Sequence, residues 1–255
     1  MQAISGLFFS LSLMLAVSLG GQTLDYTWGP ALVALALALA TGGLETWRLG
    51  KQSRLGWFAF AIILITSGFL LWRCWESPVR EYSRSDGLLV ASALASCVWA
   101  WSMPARGAAV RFLMIALALL GFVNLGIALV QLRTPEFAWP FGTRPAEFPS
   151  GLFGHYNHLA DFSQVSVVLL LARAAWARDH LAERIVQVLG AVAALVCVFI
   201  SNSRGGGLSL GAAAAVLFLC LGIMAWRDKK RNRGVLVGIS VAVPALIALL
   251  APPSH

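Results

Sequence analysis

The chain has 255 residues, of which 59% are hydrophobic and only 12% charged, a balance that excludes an ordinary water-soluble domain of this length. Its formal net charge of +8 does not point to nucleic acid, because the basic residues lie between long apolar runs, where Lys and Arg act as cytoplasmic anchors facing anionic bilayer lipid. Cys74, Cys97, Cys197 and Cys220 are scattered without paired or metal-type spacing, which excludes a disulfide framework and a zinc site.

A helix needs about 17 to 25 apolar residues to cross a hydrocarbon core of ~30 Å. Nine stretches approach that length: 4–19, 28–44, 55–72, 87–103, 108–132, 159–176, 185–200, 205–226 and 234–251. The first has the length of a signal peptide but lacks the positively charged start of one, so it reads as a span. The expected fold is therefore all-α: a single polytopic transmembrane helical bundle over 1–255 with about nine spans. Orientation follows from the basic residues of alternate loops. With the N-terminus in the cytoplasm, the inner loops hold 13 Lys and Arg, including Arg227, Lys229, Lys230, Arg231 and Arg233, and the outer loops hold 6, including Arg133, Arg144 and Arg204. The C-terminus is then periplasmic.

Between the fifth and sixth spans an outer loop, 133–158, leads into a polar helix start. Its first part, "RTPEFAWPFGTRPAEFP", is too rich in proline for a helix and too long for a simple turn. Loops of this kind are often functional, while Phe137, Trp139, Phe141 and Phe148 also suit an interfacial aromatic belt.

The following stretch, "GHYNHLADFSQ" (154–164), places Asn157, Asp161 and Gln164 at i, i+4 and i+7, on one face of the sixth helix. A carboxylate one turn into a membrane costs a few kcal/mol unless paired or wetted, so Asp161 is expected to face the bundle interior or a water-filled cavity; an interhelical hydrogen bond to a Ser or Gln is the structural alternative. The third-residue spacing of His155, His158 and Asp161 invites a metal. On a helix, however, i and i+6 lie about 120° apart, and no second ligand cluster exists, so no metal is expected.

"SNSRGGG" (201–207) joins the seventh and eighth spans in a short turn, with Ser203 as the expected N-cap and Arg204 in the first turn. The sequence holds no acidic residue between Glu183 and Asp228, which leaves Arg204 available to a distant partner or a ligand. The sixth and eighth helices run the same way, so both present free N–H groups and positive dipole ends to the outer face. A helix N-terminus beside an arginine and glycines suits an anion, phosphate above all. The bland alternatives are snorkelling for Arg204 and close helix packing for the glycines.

"GLFGHYNHLADF" resembles the G-x-F-x-N-x-N-H-x-A motif of the O-antigen ligase and O-antigen polymerase superfamily, and "SNSRGGGLSL" resembles its S-x-S-R-G motif. "GFVNLGIALVQ" (121–131) resembles the helix that ends in glutamine before that family's outer loop. The likeness covers about residues 110 to 226. It implies a bacterial inner-membrane glycosyltransferase with no cofactor, which moves a glycan from an undecaprenyl-pyrophosphate carrier to lipid A core, a growing polysaccharide or a protein hydroxyl on the periplasmic side. It further implies Arg204 as the contact to the carrier phosphate, with Asn157 and His158 lining the same cavity. Ser203, Asp161 and Gln164 belong to that candidate donor site, and Arg144 is an assisting candidate without motif support.

Two features depart from the family. His155 and Tyr156 replace an asparagine and a small residue. The family's large periplasmic loop, with its catalytic histidine and a further arginine, has no counterpart before the sequence ends at "APPSH", so the expectation is a front portion of a longer enzyme with its catalytic base elsewhere. A small-solute or bicarbonate transporter and a non-catalytic assembly subunit are the rival classes. Transport calls for helices broken at midplane and repeated halves, whereas the polar residues here cluster near the outer interface and no repeat is present.

Overall fold

The computed structural model describes residues 2–19, 25–46, 54–77, 80–103, 107–137, 148–176 and 180–227. Among these residues the chain is all-helical, with eight helices and no strand: α1 (Gln2–Leu19), α2 (Asp25–Thr46), α3 (Arg54–Trp75), α4 (Arg80–Ser102), α5 (Ala108–Arg133), α6 (Tyr156–Trp176), α7 (Leu181–Ile200) and α8 (Arg204–Arg227). Leu, Ala and Val dominate these stretches, and a helix satisfies its own backbone groups where no water can. The ninth expected span, 234–251, lies outside the described residues, as do Trp139, Phe141, Arg144 and the basic run after Arg227.

Three helices, α1, α5 and α7, are long and apolar enough to cross a membrane, and shorter apolar helices run over Gly29–Gly42, Phe60–Trp75 and Asp86–Ser102. Their outward side chains are apolar as well: Phe122, Val123, Leu129 and Val130 on α5 and Leu189 and Val192 on α7 are all exposed. Exposed apolar faces of this extent need a lipid or protein cover rather than water, the character of a helical membrane protein.

Most helices begin a few residues before their apolar runs, α4 by the most; α4 and α6 show why. The α4 helix starts at Arg80 rather than 87, and α6 at Tyr156 rather than 159. In both cases polar residues form the opening turns, and an apolar-run criterion registers only the lipid-soluble part of a helix.

The chain divides into two compact units, Met1–Ala116 and Leu117–His255, with the boundary inside α5. In the first unit, Trp99 of α4 is buried with Ala38, Met103 and Ala109, and Phe8 and Phe9 pack against them. Its indole lies parallel to the ring of Phe9 at 3.8 Å. Trp99 Nε1 donates to Ser5 Oγ (2.9 Å), and Ser5 Oγ donates to the carbonyl of Ala38 (2.7 Å), so one hydroxyl ties α1, α2 and α4 together. Gly6 lies against the Ala109 backbone with no room for a side chain.

In the second unit, small residues bring α5 and α7 into contact: a Cβ at Gly190 would stand 2.6 Å from Ala118 Cβ, and one at Gly121 would stand 3.1 Å from the Gly190 carbonyl. Leu159, near the start of α6, shares a cluster with Ala128 of α5 and Cys197 near the end of α7. At the other end of α6, the Ala174 carbonyl accepts from Arg184 Nε in the first turn of α7 (3.1 Å). The α6 helix therefore runs antiparallel to α5 and α7. Ala160 meets Gly206, and seven residues further along α6, Val167 shares a cluster with Leu210 of α8, so α6 and α8 run parallel and start side by side.

Candidate functional site at the paired starts of α6 and α8

One end of the second unit gathers the C-terminus of α5, the segment 148–155, the start of α6, the turn Ser201–Ser203 and the start of α8. Each piece is fixed by a local device. After α7, Asn202 takes the left-handed conformation (φ 51°), which asparagine tolerates better than other side chains with a Cβ. Ser203 Oγ then accepts from the backbone N–H of Gly206 (3.1 Å), the N-cap bond expected from sequence. By helix geometry the N–H groups of Arg204 and Gly205 are left without an intrahelical acceptor.

The α6 start is capped differently. His155 Nδ1 accepts from the N–H of Asn157 (3.2 Å), so the histidine side chain performs the task of an N-cap. Its ring stacks on Tyr156 at a centroid distance of 4.2 Å, and Tyr156 meets Phe148 edge-on at 5.3 Å. The aromatic departure therefore forms a three-ring buttress at the helix mouth.

Asn157, His158 and Asp161 are exposed, and Gln164 is half-buried. Asp161 was expected to face the bundle interior or a water-filled cavity; its side chain is exposed, not packed among the helices. Among the described residues its carboxylate accepts a hydrogen bond from Gln164 Nε2 (3.3 Å), within α6 itself. The preceding side of the helix supplies the packing, with Leu159, Ala160 and Ser163 buried. Among the described residues no group of three or more His, Cys, Asp or Glu side chains is placed to hold a metal ion.

The three glycines after Arg204 do not share one role. A Cβ at Gly206 would stand 2.5 Å from Ala160 Cβ, whereas Gly205 has nothing within 4 Å of its Cβ position. Gly206 is a packing residue that lets the two helix starts touch. Gly205 leaves open backbone at the helix start. Arg204 is exposed, and two residues of helix turn it about 200° from Gly206. It thus shares the end of the bundle with the polar stripe but leaves α8 on the flank away from the Ala160 contact. Arg144 lies outside the described residues.

Two buried side chains that composition and spacing did not nominate hold this end together. Gln131 Oε1 accepts from the N–H groups of Ser150 and Gly151 (2.9 Å each), and its Nε2 donates to the Gly151 carbonyl (3.3 Å). Asn124 Oδ1 accepts from the N–H of Leu152 (2.9 Å), while its Nδ2 donates to Leu120 on its own helix (2.9 Å). Gly151 is left-handed (φ 61°), and a Cβ there would overlap Asn124 Oδ1. The sequence carries two traces of this arrangement: amides at i and i+7 of an apolar helix share a face, and the stretch 121–131 that ends in Gln131 is one of those that resemble a motif. No protein-family profile, no curated protein and no solved structure matches this chain, which leaves the paired helix starts, the polar stripe and the amide contacts as the grounds for a functional reading.

Proposed function

We propose that the protein is a multi-pass glycan transferase of the bacterial inner membrane, of the O-antigen ligase type, that takes an oligo- or polysaccharide from undecaprenyl pyrophosphate and passes it to lipid A core or a similar acceptor at the periplasmic face. A polymerase or protein-glycosylating enzyme of the same type would differ in the acceptor alone. One observation carries the reading: α6 and α8 begin side by side, so two positive helix ends, an exposed arginine and an exposed polar stripe meet at one end of the same unit.

The chemistry suits that meeting. Transfer breaks the bond between the anomeric carbon and the pyrophosphate oxygen, and negative charge grows on the departing phosphate. Fixed N–H donors and a cation stabilise that charge without reorganising. The N–H groups of Arg204 and Gly205 face the pyrophosphate, and the long Arg204 side chain closes over it from the flank of α8. Asn157, His158 and Asp161 take the sugar hydroxyls, with Gln164 steadying Asp161. Basic inner loops set the orientation, N-terminus cytoplasmic and C-terminus periplasmic, which turns this end outward.

The test is glycan transfer in a strain without its own ligase, supplied with the full-length gene. Arg204→Ala and Asn157→Ala are expected to lower transfer strongly, Arg204→Ala by about a hundredfold if it removes a donor aimed at developing charge. Full transfer by both variants at normal expression would sink the assignment. Arg204→Lys is expected to fall between, since a point charge replaces a forked donor only in part.

A further inference from the structure

The segment from Ser150 to Leu152 is neither helix nor strand, yet Ser150 and Leu152 are almost fully buried. Backbone groups in such a place need partners, and here α5 supplies them through two side chains. The choice of amides is dictated by the task. Gly151 offers an N–H and a carbonyl to the same side chain, so the partner must accept and donate at once. A carboxylate would accept the two N–H groups but repel the carbonyl, and a serine hydroxyl is too short to span both.

The held segment is also the root of the α6 start. Only Phe153 and Gly154 separate Leu152 from the capping His155, and Phe153 is packed against Leu159, Ala128 and Cys197 and lies 5.5 Å from the ring of Phe162. The three steps from Leu152 to His155 reach at most about 11 Å when extended, so little slack remains between the amide contacts and the cap. We propose that Asn124 and Gln131 are positioning residues: by clamping residues 150–152 they fix where α6 begins, and so where His155, Asn157 and the polar stripe stand beside α8. This deepens the proposed function and rests on it for any effect on glycan transfer; the clamp itself is a statement about this chain's own backbone.

The two layers separate in one set of variants, measured on the full chain in lipid nanodiscs by amide-resolved hydrogen–deuterium exchange. In Gln131→Leu the amides of Ser150 and Gly151 should exchange at least tenfold faster while that of Leu152 keeps its protection, and Asn124→Leu should show the reverse. Gln131→Glu, which retains the acceptor oxygens but repels the Gly151 carbonyl, should leave Ser150 and Gly151 slower to exchange than in Gln131→Leu though faster than in the wild type. If Asn124→Leu does not fold, Asn124→Asp retains the acceptor for Leu152 and should leave that amide slow. In both leucine variants the first turns of α6, residues 156–161, should exchange faster while α7 stays unchanged. Unaltered exchange at 150–161 overturns the proposal, and so does a uniform rise through α5 and α7, which would mark general loss of packing.

The second arm is kinetic. Gln131→Leu should raise KM for the lipid-linked glycan more than it lowers kcat, with Gln131→Glu recovering part of the loss. Normal transfer by Gln131→Leu, despite a loosened segment, overturns the positioning role. If the full-length gene with wild-type sequence supports no glycan transfer, the proposed function has failed, and the exchange pattern alone decides the clamp.

Discussion

The two units bury polar groups for different ends. In the first, a hydroxyl and an indole meet between helices: Trp99 donates to Ser5, Ser5 donates to Ala38, and every element involved is a regular helix. In the second, two buried amides reach from a helix to irregular backbone and satisfy it at one end of the bundle. The first pattern knits helices together. The second holds a non-helical segment still where exposed polar residues gather. Such a division is expected of a rigid scaffold carrying a site, because irregular backbone at a site needs partners that the bundle must supply.

The largest expected break in the comparison is Gly190→Leu. Gly190 already lies against the backbone of Ala118, so a leucine would force α5 and α7 apart and cost about 3 kcal/mol, the upper part of the usual range for overpacking. Thermal unfolding in detergent should fall sharply, and glycan transfer should fall with it, because the clamp hangs from α5. An unchanged melting temperature would show that the α5–α7 contact is not as close as described. Ser5→Ala is the counterpart in the first unit. It leaves the buried Trp99 Nε1 without its acceptor, at about 2 kcal/mol for an unsatisfied buried donor, and it should lower melting and alter the tryptophan emission. Transfer measured at a temperature where the variant stays folded should remain near normal. A loss of transfer as deep as that of Arg204→Ala would contradict the separation of roles between the units.

Much of this was legible in sequence, for reasons that also explain what was not. Apolar runs located all eight helices because a lipid-facing helix must be apolar along most of its length. They missed the polar opening turns of α4 and α6 because those turns carry no such requirement. At the site, the N-cap role of Ser203 and the shared face of Asn157, Asp161 and Gln164 followed from local rules of helix geometry, and both are present. Asn124 and Gln131 did not emerge from composition or periodicity, since their partners lie some 20 to 28 residues away and are backbone atoms, which leave no mark on residue type. His155 read as a departure from a motif because the motif is written in residue types. In the structure its ring nitrogen accepts from the N–H of Asn157, a local capping bond that residue type alone does not announce. The cost of a carboxylate in lipid calls for a paired or wetted Asp161, and the helix leaves it exposed while packing through Leu159, Ala160 and Ser163.

The finest division lies between two neighbouring glycines, and it separates packing from ligand approach within the site itself. Gly206→Ala places a methyl group against Ala160, so α6 and α8 must move apart at their starts, at a cost of about 1 to 2 kcal/mol. Stability and transfer should then drop together. Gly205→Ala meets nothing within 4 Å and replaces the poorest non-proline helix former by the best, so stability should hold or rise by up to ~1 kcal/mol. If open backbone at position 205 exists to let the pyrophosphate reach the helix end, the added methyl obstructs that approach, and transfer should fall although the protein is no less stable. A variant that is firmer and slower would tie Gly205 to the ligand. Undiminished transfer by Gly205→Ala would instead remove the backbone of α8 from the site and leave Arg204 to meet the phosphate through its side chain alone.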